Sequence, residues 1–159
     1  MAQSNFMRDS ELFDKAVETF FDPLAKELGL PLSKVRDGVY DIFSPHFIMR
    51  IRLDTGHARG LNVILRPGSI RDCDENDYSI EQLGIGNFIK FYGEEWNEPL
   101  IDTDKDFLNQ AHRLAAVAKR HLAQYLLGNG KDWEAIRSKV KSASQKRQLE
   151  MKYPWMKKT

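Results

Sequence analysis

Four acids crowd into six positions of "RDCDEND", at Asp72, Asp74, Glu75 and Asp77. Acids this close suit a metal loop, an anionic recognition surface or a hydrated turn. Asp72, Asp74 and Asn76 stand where the first three ligands of an EF-hand calcium loop would stand. That loop also needs glycine at its sixth position and a bidentate glutamate at its twelfth. Here those positions hold Asp77 and Leu83. No metal or other cofactor is expected.

Large rings are interleaved with the acids. Tyr78 follows the first cluster, and "FYGEEWNEPL" sets Glu94, Glu95 and Glu98 around Trp96. Rings can anchor in a partner's pockets while carboxylates steer a basic protein toward them. Asp72, Asp74, Glu75, Asp77, Tyr78, Glu94, Glu95, Trp96 and Glu98 are therefore the candidate partner-binding residues. Phe91 and Tyr92 are expected to turn into the core, with Trp96 left partly exposed.

Catalytic chemistry finds less support. His112 and His121 share a helical stretch but lie nine residues apart, about 900° of rotation, so they face opposite sides. His57 and Asp54 pair as acid and base only if the fold brings them together, and the same holds for Cys73 beside them. Acids flanking Cys73 raise its thiol pKa, the reverse of what activates a nucleophile. "LGIGNF" lacks the third glycine and the lysine of phosphate loops. The expectation is a protein that is not an enzyme.

Charge is unevenly spread along the chain. Residues 72–106 carry eleven acids against two bases, and residues 131–159 nine bases against three acids, although the net charge is only +1. Such polarity bears on association more than on fold. The basic end could match an external partner, the polyanion of a nucleic acid, or the chain's own acidic segment. "YPWM" also matches a docking hexapeptide core of some homeodomain proteins, but no homeodomain pattern accompanies it.

The elements that must carry these groups follow from periodicity. A chain of 159 residues, 42% hydrophobic and 30% charged, fits one globular α+β domain. A first helix is expected to open at Ser10 as cap, to kink or start afresh at Asp22-Pro23 with Asp22 as cap, and to stop at Gly29. "GVYDIF", "HFIMRIRLD" and "RGLNVILRP" follow as a three-stranded antiparallel meander. Phe47, Met49, Ile51 and Leu53 point inward with Leu61, Val63 and Leu65. Arg50, Arg52 and Arg66 fall on the outer face, as ordinary surface residues, as salt-bridge partners of the acidic segment or as a site for an anionic ligand.

Residues 79–93 read as a helix broken at Gly84 and Gly86. Thr103 and Asp106 form a capping box for a long helix reaching Gly128. Asp132 caps a last helix carrying Trp133, Ile136, Val140 and Ala143. Two to three C-terminal helices thus cover one sheet face of a single domain, 1–159, with a frayed basic tail over 144–159. "MAQSNFMRDSELF" has no apolar run of signal-peptide type, and no segment approaches the roughly 18–20 apolar residues of a membrane helix. A single cysteine excludes an internal disulfide. A cytoplasmic location is expected, without membrane contact.

This layout, with "FFDPLAKELGL" before the meander and "FLNQAHRLAAVAKRHLAQYLLG" after it, resembles small bacterial proteins of immunity type. The resemblance is one of architecture and transfers no site residue. It implies stoichiometric neutralisation of a basic toxin by an acidic, aromatic-containing surface. The alternative is nucleic-acid binding through the basic C-terminal helix and tail.

Overall fold

No proline or glycine interrupts residues 2–16, and the chain is helical from its second residue. A computed structural model describes residues 2–54, 59–68, 82–97, 100–128 and 130–155, with side chains from residue 9 onward. Helix α1 (Ala2–Ala16) starts well before Ser10, which lies inside it and does not cap it. Asp22 does not cap a fresh helix either. A π-helical turn, Val17–Phe21, carries α1 directly into α2 (Asp22–Leu28), and the Asp22 N–H donates to the Val17 carbonyl. The wider turn accommodates Pro23, which has no N–H to offer the ladder. Asp22 instead pairs with Lys26 at 3.0 Å. Gly29, at φ 69°, ends the helix as expected; its N–H donates to the Lys26 carbonyl and that of Leu30 to Ala25.

The meander is present and is longer than expected. Strands β2 (Val39–Phe43), β3 (Phe47–Asp54) and β4 (Gly60–Pro67) pair antiparallel in sequence order. Strand β1 (Leu32–Arg36) extends the sheet on one side and β5 (Leu83–Gly84) on the other, making five strands. β1 escapes the periodicity argument because four of its five residues are exposed. Its sequence signal is Asp37-Gly38 at the turn into β2, a pair suited to tight hairpins, with Gly38 at φ 80°.

Met49, Ile51 and Leu53 face Leu65, Val63 and Leu61 across the β3–β4 ladder, and all six are buried. The opposite face is not the open arginine surface expected. Arg50 and Arg66 are buried there with Ile48, Ile64 and Asp41. Arg50 faces Asp41 directly across the ladder and donates from Nε and Nη2 to its two carboxylate oxygens, at 2.9 and 3.0 Å. Only Arg52 of the three stays exposed.

Of the broken helix, α3 (Ile85–Phe91) forms, entered from an extended Gly84. The capping box opens α4 (Asp104–Val117) as expected. Thr103 Oγ1 accepts the Asp106 N–H, while Asp106 Oδ2 accepts the Thr103 N–H, each at 3.1 Å. Those bonds favour the charged carboxyl and hold Asp106 below its ordinary pKa. A second π-helical turn, Ala118–Leu122, leads into α5 (Ala123–Leu126), and Gly128 at φ 100° follows.

Contacts climb in the same order along both long helical rods. Arg59 ties Asp9 to Asp104, Phe20 meets the His112 ring at 5.1 Å, and Lys119 pairs with Glu27 at 3.0 Å. The N-terminal rod and α4–α5 therefore lie side by side and run in the same direction. Gln110 fastens α4 to the sheet by accepting the Leu61 N–H at 2.9 Å. Phe13, Phe21, Phe88, Phe107, Tyr125 and Leu122 fill the core with the inner sheet residues.

Residues 1–129 form one compact unit and residues 130–159 a second. The second is built on α6 (Trp133–Lys152), where Trp133 and Ile136 are the buried residues. Asp132 precedes α6 without making a capping hydrogen bond, contrary to expectation. None of the helices among the described residues is long and apolar enough to cross a membrane.

Candidate functional site

The second π-helical turn sits where the acidic strip meets the long helix. One extra residue in a turn changes the directions in which successive side chains point. Lys119, Arg120 and His121 are consecutive, and all three meet glutamates. Lys119 takes Glu27, while Arg120 and His121 converge on Glu94 from the segment after α3. Arg120 forks onto both Glu94 oxygens at 2.7 Å, and His121 Nε2 lies 2.6 Å from Oε1.

Arg120 first, and His121 second, hold the Glu94 carboxyl down to about 2. Glu94 is thus a carboxylate at neutral pH, which requires the proton on His121 Nε2 for that hydrogen bond.

Tyr92 completes the clasp. Its ring stacks on His121 with centroids 4.5 Å apart and planes 6° from parallel. Its hydroxyl lies 2.8 Å from that of Tyr125 and accepts from Gln124 Nε2 at 3.0 Å. Two turns earlier on the helix, the Arg113 guanidinium lies 4.5 Å from the centroid of the Trp96 ring. Segment 92–96 is therefore fastened at Tyr92, Glu94 and Trp96. Glu95 is left exposed between the last two, and Trp96 is half-buried.

This arrangement has the polar ingredients of a catalytic pair but a different use for them. A carboxylate–imidazole dyad activates a nucleophile through the imidazole nitrogen left free. Among the described residues, no hydroxyl or thiol is hydrogen-bonded to a His121 ring nitrogen. The charges instead hold a loop to a helix. Beside Arg113, an open cleft of about 280 Å³ is lined by Asp106, Asn109, Gln110 and His112. Gln110 and Asp106 there already serve Leu61 and the helix cap.

Of the expected partner-binding residues, the structure therefore brings Glu94, Glu95 and Trp96 together. Glu94 faces Arg120 and His121 of the long helix and anchors the strip there. Phe91 and Tyr92, expected in the core, are half-buried. Asp72, Asp74, Glu75, Asp77, Tyr78 and Glu98 lie outside the described residues, as do His57 and Cys73. His112 and His121 do serve separate places, one against Phe20 and the other against Tyr92. No group of three His, Cys, Asp or Glu side chains among the described residues suits a metal.

Sequence reasoning missed Arg113 and Arg120, and weighed His121 only as a partner of His112. The run "KRH" at 119–121, directly after the apolar stretch "LAAVA", was the signal that could have found Arg120 and His121. No protein-family model, curated protein or solved structure matches the chain.

Proposed function

We propose that the protein is a stoichiometric binding module, an immunity-type inhibitor that acts in the cytoplasm on a basic protein partner. The observation that supports this reading is the fixed presentation of Glu95 and Trp96. Both neighbours of Glu95 are anchored, Glu94 by Arg120 and His121 and Trp96 by Arg113. A segment whose backbone is held before the partner arrives loses less entropy on binding. Glu95 supplies an exposed carboxylate and Trp96 a half-exposed ring, the combination that steers a cationic surface and then anchors it. In the sequence, Asp72, Asp74, Glu75, Asp77, Tyr78 and Glu98 extend the same acidic and aromatic character.

The test uses the partner recovered from source cells in equimolar complex. Trp96→Ala and Glu95→Lys are each expected to weaken that complex at least tenfold by calorimetry, as for a central ring and a facing charge. Glu11→Lys, at an exposed acid of α1, serves as the control and is expected to leave affinity unchanged. Equal affinities for all three variants would overturn the assignment of this strip.

A further inference from the structure

The second unit offers chemistry that the acidic strip does not. From Lys141 to Trp155, every side chain but Ser144 and Glu150 is exposed. Large apolar groups stand out among them: Met151 at 81%, Trp155 at 70%, Leu149 at 46% and Tyr153 at 40% relative exposure. Between Gly130 and Trp155 there are seven bases against three acids, and Lys157 and Lys158 follow in the sequence. Arg137 pairs with Glu134. Lys141, Lys146 and Arg147 form no ion pair among the described residues.

The placement of these groups narrows the class of partner. At about 100° per residue, Lys141, Lys146 and Arg147 point in three different directions. A flat acidic protein face would be met by bases on one side of the helix. Bases spread around it suit a flexible polyanion that can follow the helix surface. At the end of α6 the chain leaves helical geometry at Tyr153 (φ −130°, ψ 80°) and sets two rings close together. The Tyr153 and Trp155 centroids are 6.1 Å apart with planes at 56°, and the Lys152 ammonium lies 5.6 Å from the Tyr153 centroid. Exposed rings beside cations form a stacking platform for unpaired bases. A duplex keeps its base faces inside the stack and cannot use such a platform.

We propose that α6 and residues 153–155 bind single-stranded nucleic acid, with phosphates on Lys141, Lys146, Arg147 and Lys152 and bases stacked on Tyr153 and Trp155. This goes beyond the reading of the acidic strip and shares no residue with it, so either can fail alone.

The experiment is fluorescence anisotropy of the full chain with labelled oligo(dT) of about twenty nucleotides, alongside a duplex of equal length. Binding is expected to favour the single strand and to fall with added salt. Trp155→Ala should weaken it roughly tenfold. Lys146→Gln with Arg147→Gln should lower the slope of log K against log salt by about 1.4. All three positions are exposed, so the far-ultraviolet circular dichroism should stay unchanged. Absence of binding at low salt would overturn the proposal. So would equal affinity for the duplex, or a single-strand affinity that Trp155→Ala does not alter. A low-salt dimer seen by light scattering and abolished by the same variants would place a second copy of the chain on this surface instead.

Discussion

Two arginine–carboxylate forks in this molecule look alike by geometry and differ by surroundings. Arg50 holds Asp41 at 2.9 and 3.0 Å with side chains 9% and 3% exposed, and Arg120 holds Glu94 at 2.7 Å with side chains 51% and 22% exposed. The shorter pair is not the more consequential one for folding. Water screens Arg120 and can replace either partner, so that fork adds little to global stability. At the sheet, neither ion has water to return to, so breaking the fork leaves a charge in a buried place. The comparison separates roles: the buried fork is a condition of the fold, and the exposed one positions a loop.

Removing one partner from the buried fork gives the largest expected effect. Asp41→Ala leaves the Arg50 guanidinium buried without its carboxylate and is expected to cost about 3–5 kcal/mol, read from the midpoint of urea unfolding. Replacing both partners, Asp41→Leu with Arg50→Met, should recover most of that loss, because an apolar pair needs no compensating charge. A single-variant loss under about 1 kcal/mol would mean that water reaches the pair, and the contrast with Arg120 would collapse.

Glu94→Gln should do less to stability than Asp41→Ala, and its loss in neutral solution should match what the wild type gives up in acid. The folded Glu94 pKa, about 2, lies below the ordinary value of 4.5 because Arg120 and His121 favour the charged form. A depressed carboxyl pKa contributes stability that is complete above the ordinary value and is lost as pH falls through the folded one. The wild type should therefore lose stability faster than Glu94→Gln between about pH 5 and pH 2, and the two curves should converge below that window. Parallel curves across it would show that the clasp does not hold in solution.

What was legible in the sequence follows the range of the interaction. Strands β2, β3 and β4 announce themselves because alternation is a property of consecutive residues, and the Thr103–Asp106 box because its two ends are three residues apart. β1 was hidden because an exposed edge strand is defined by its partner's backbone and not by an apolar face. The fate of Arg50 needed the β2–β3 register, which puts Asp41 opposite it. Outward direction alone had suggested solvent. The clasp needed contacts across 26 and 27 residues of sequence, plus a π-helical turn that no local pattern signals. An acid within an acidic run reads as surface until the cations that face it are known. The pairing of Glu94 with Arg120 and His121 was therefore not legible in the sequence.

A third carboxylate, Asp14, lies further along the same gradient at 31% exposure and sharpens the comparison from its weakest end. It accepts from the Tyr40 hydroxyl at 2.9 Å and pairs with Lys34 at 3.3 Å. Partial burial first, and the bond to Asp14 second, push the Tyr40 phenol up to about 12. Both causes disfavour the tyrosinate, so the fold prefers the protonated ring. A raised pKa contributes stability that is complete below the ordinary value of 10 and is lost as pH rises toward 12. Ultraviolet titration of the folded chain should thus find Tyr40 ionising well after an ordinary tyrosine. Asp14→Ala removes the second cause and leaves the first, so that late step should move down without reaching the ordinary value. A shift all the way to the ordinary value would assign the effect to Asp14 alone, and a step that stays fixed would assign it wholly to burial. Either result would show how much of the polar network in this fold acts through charge and how much through exclusion of water.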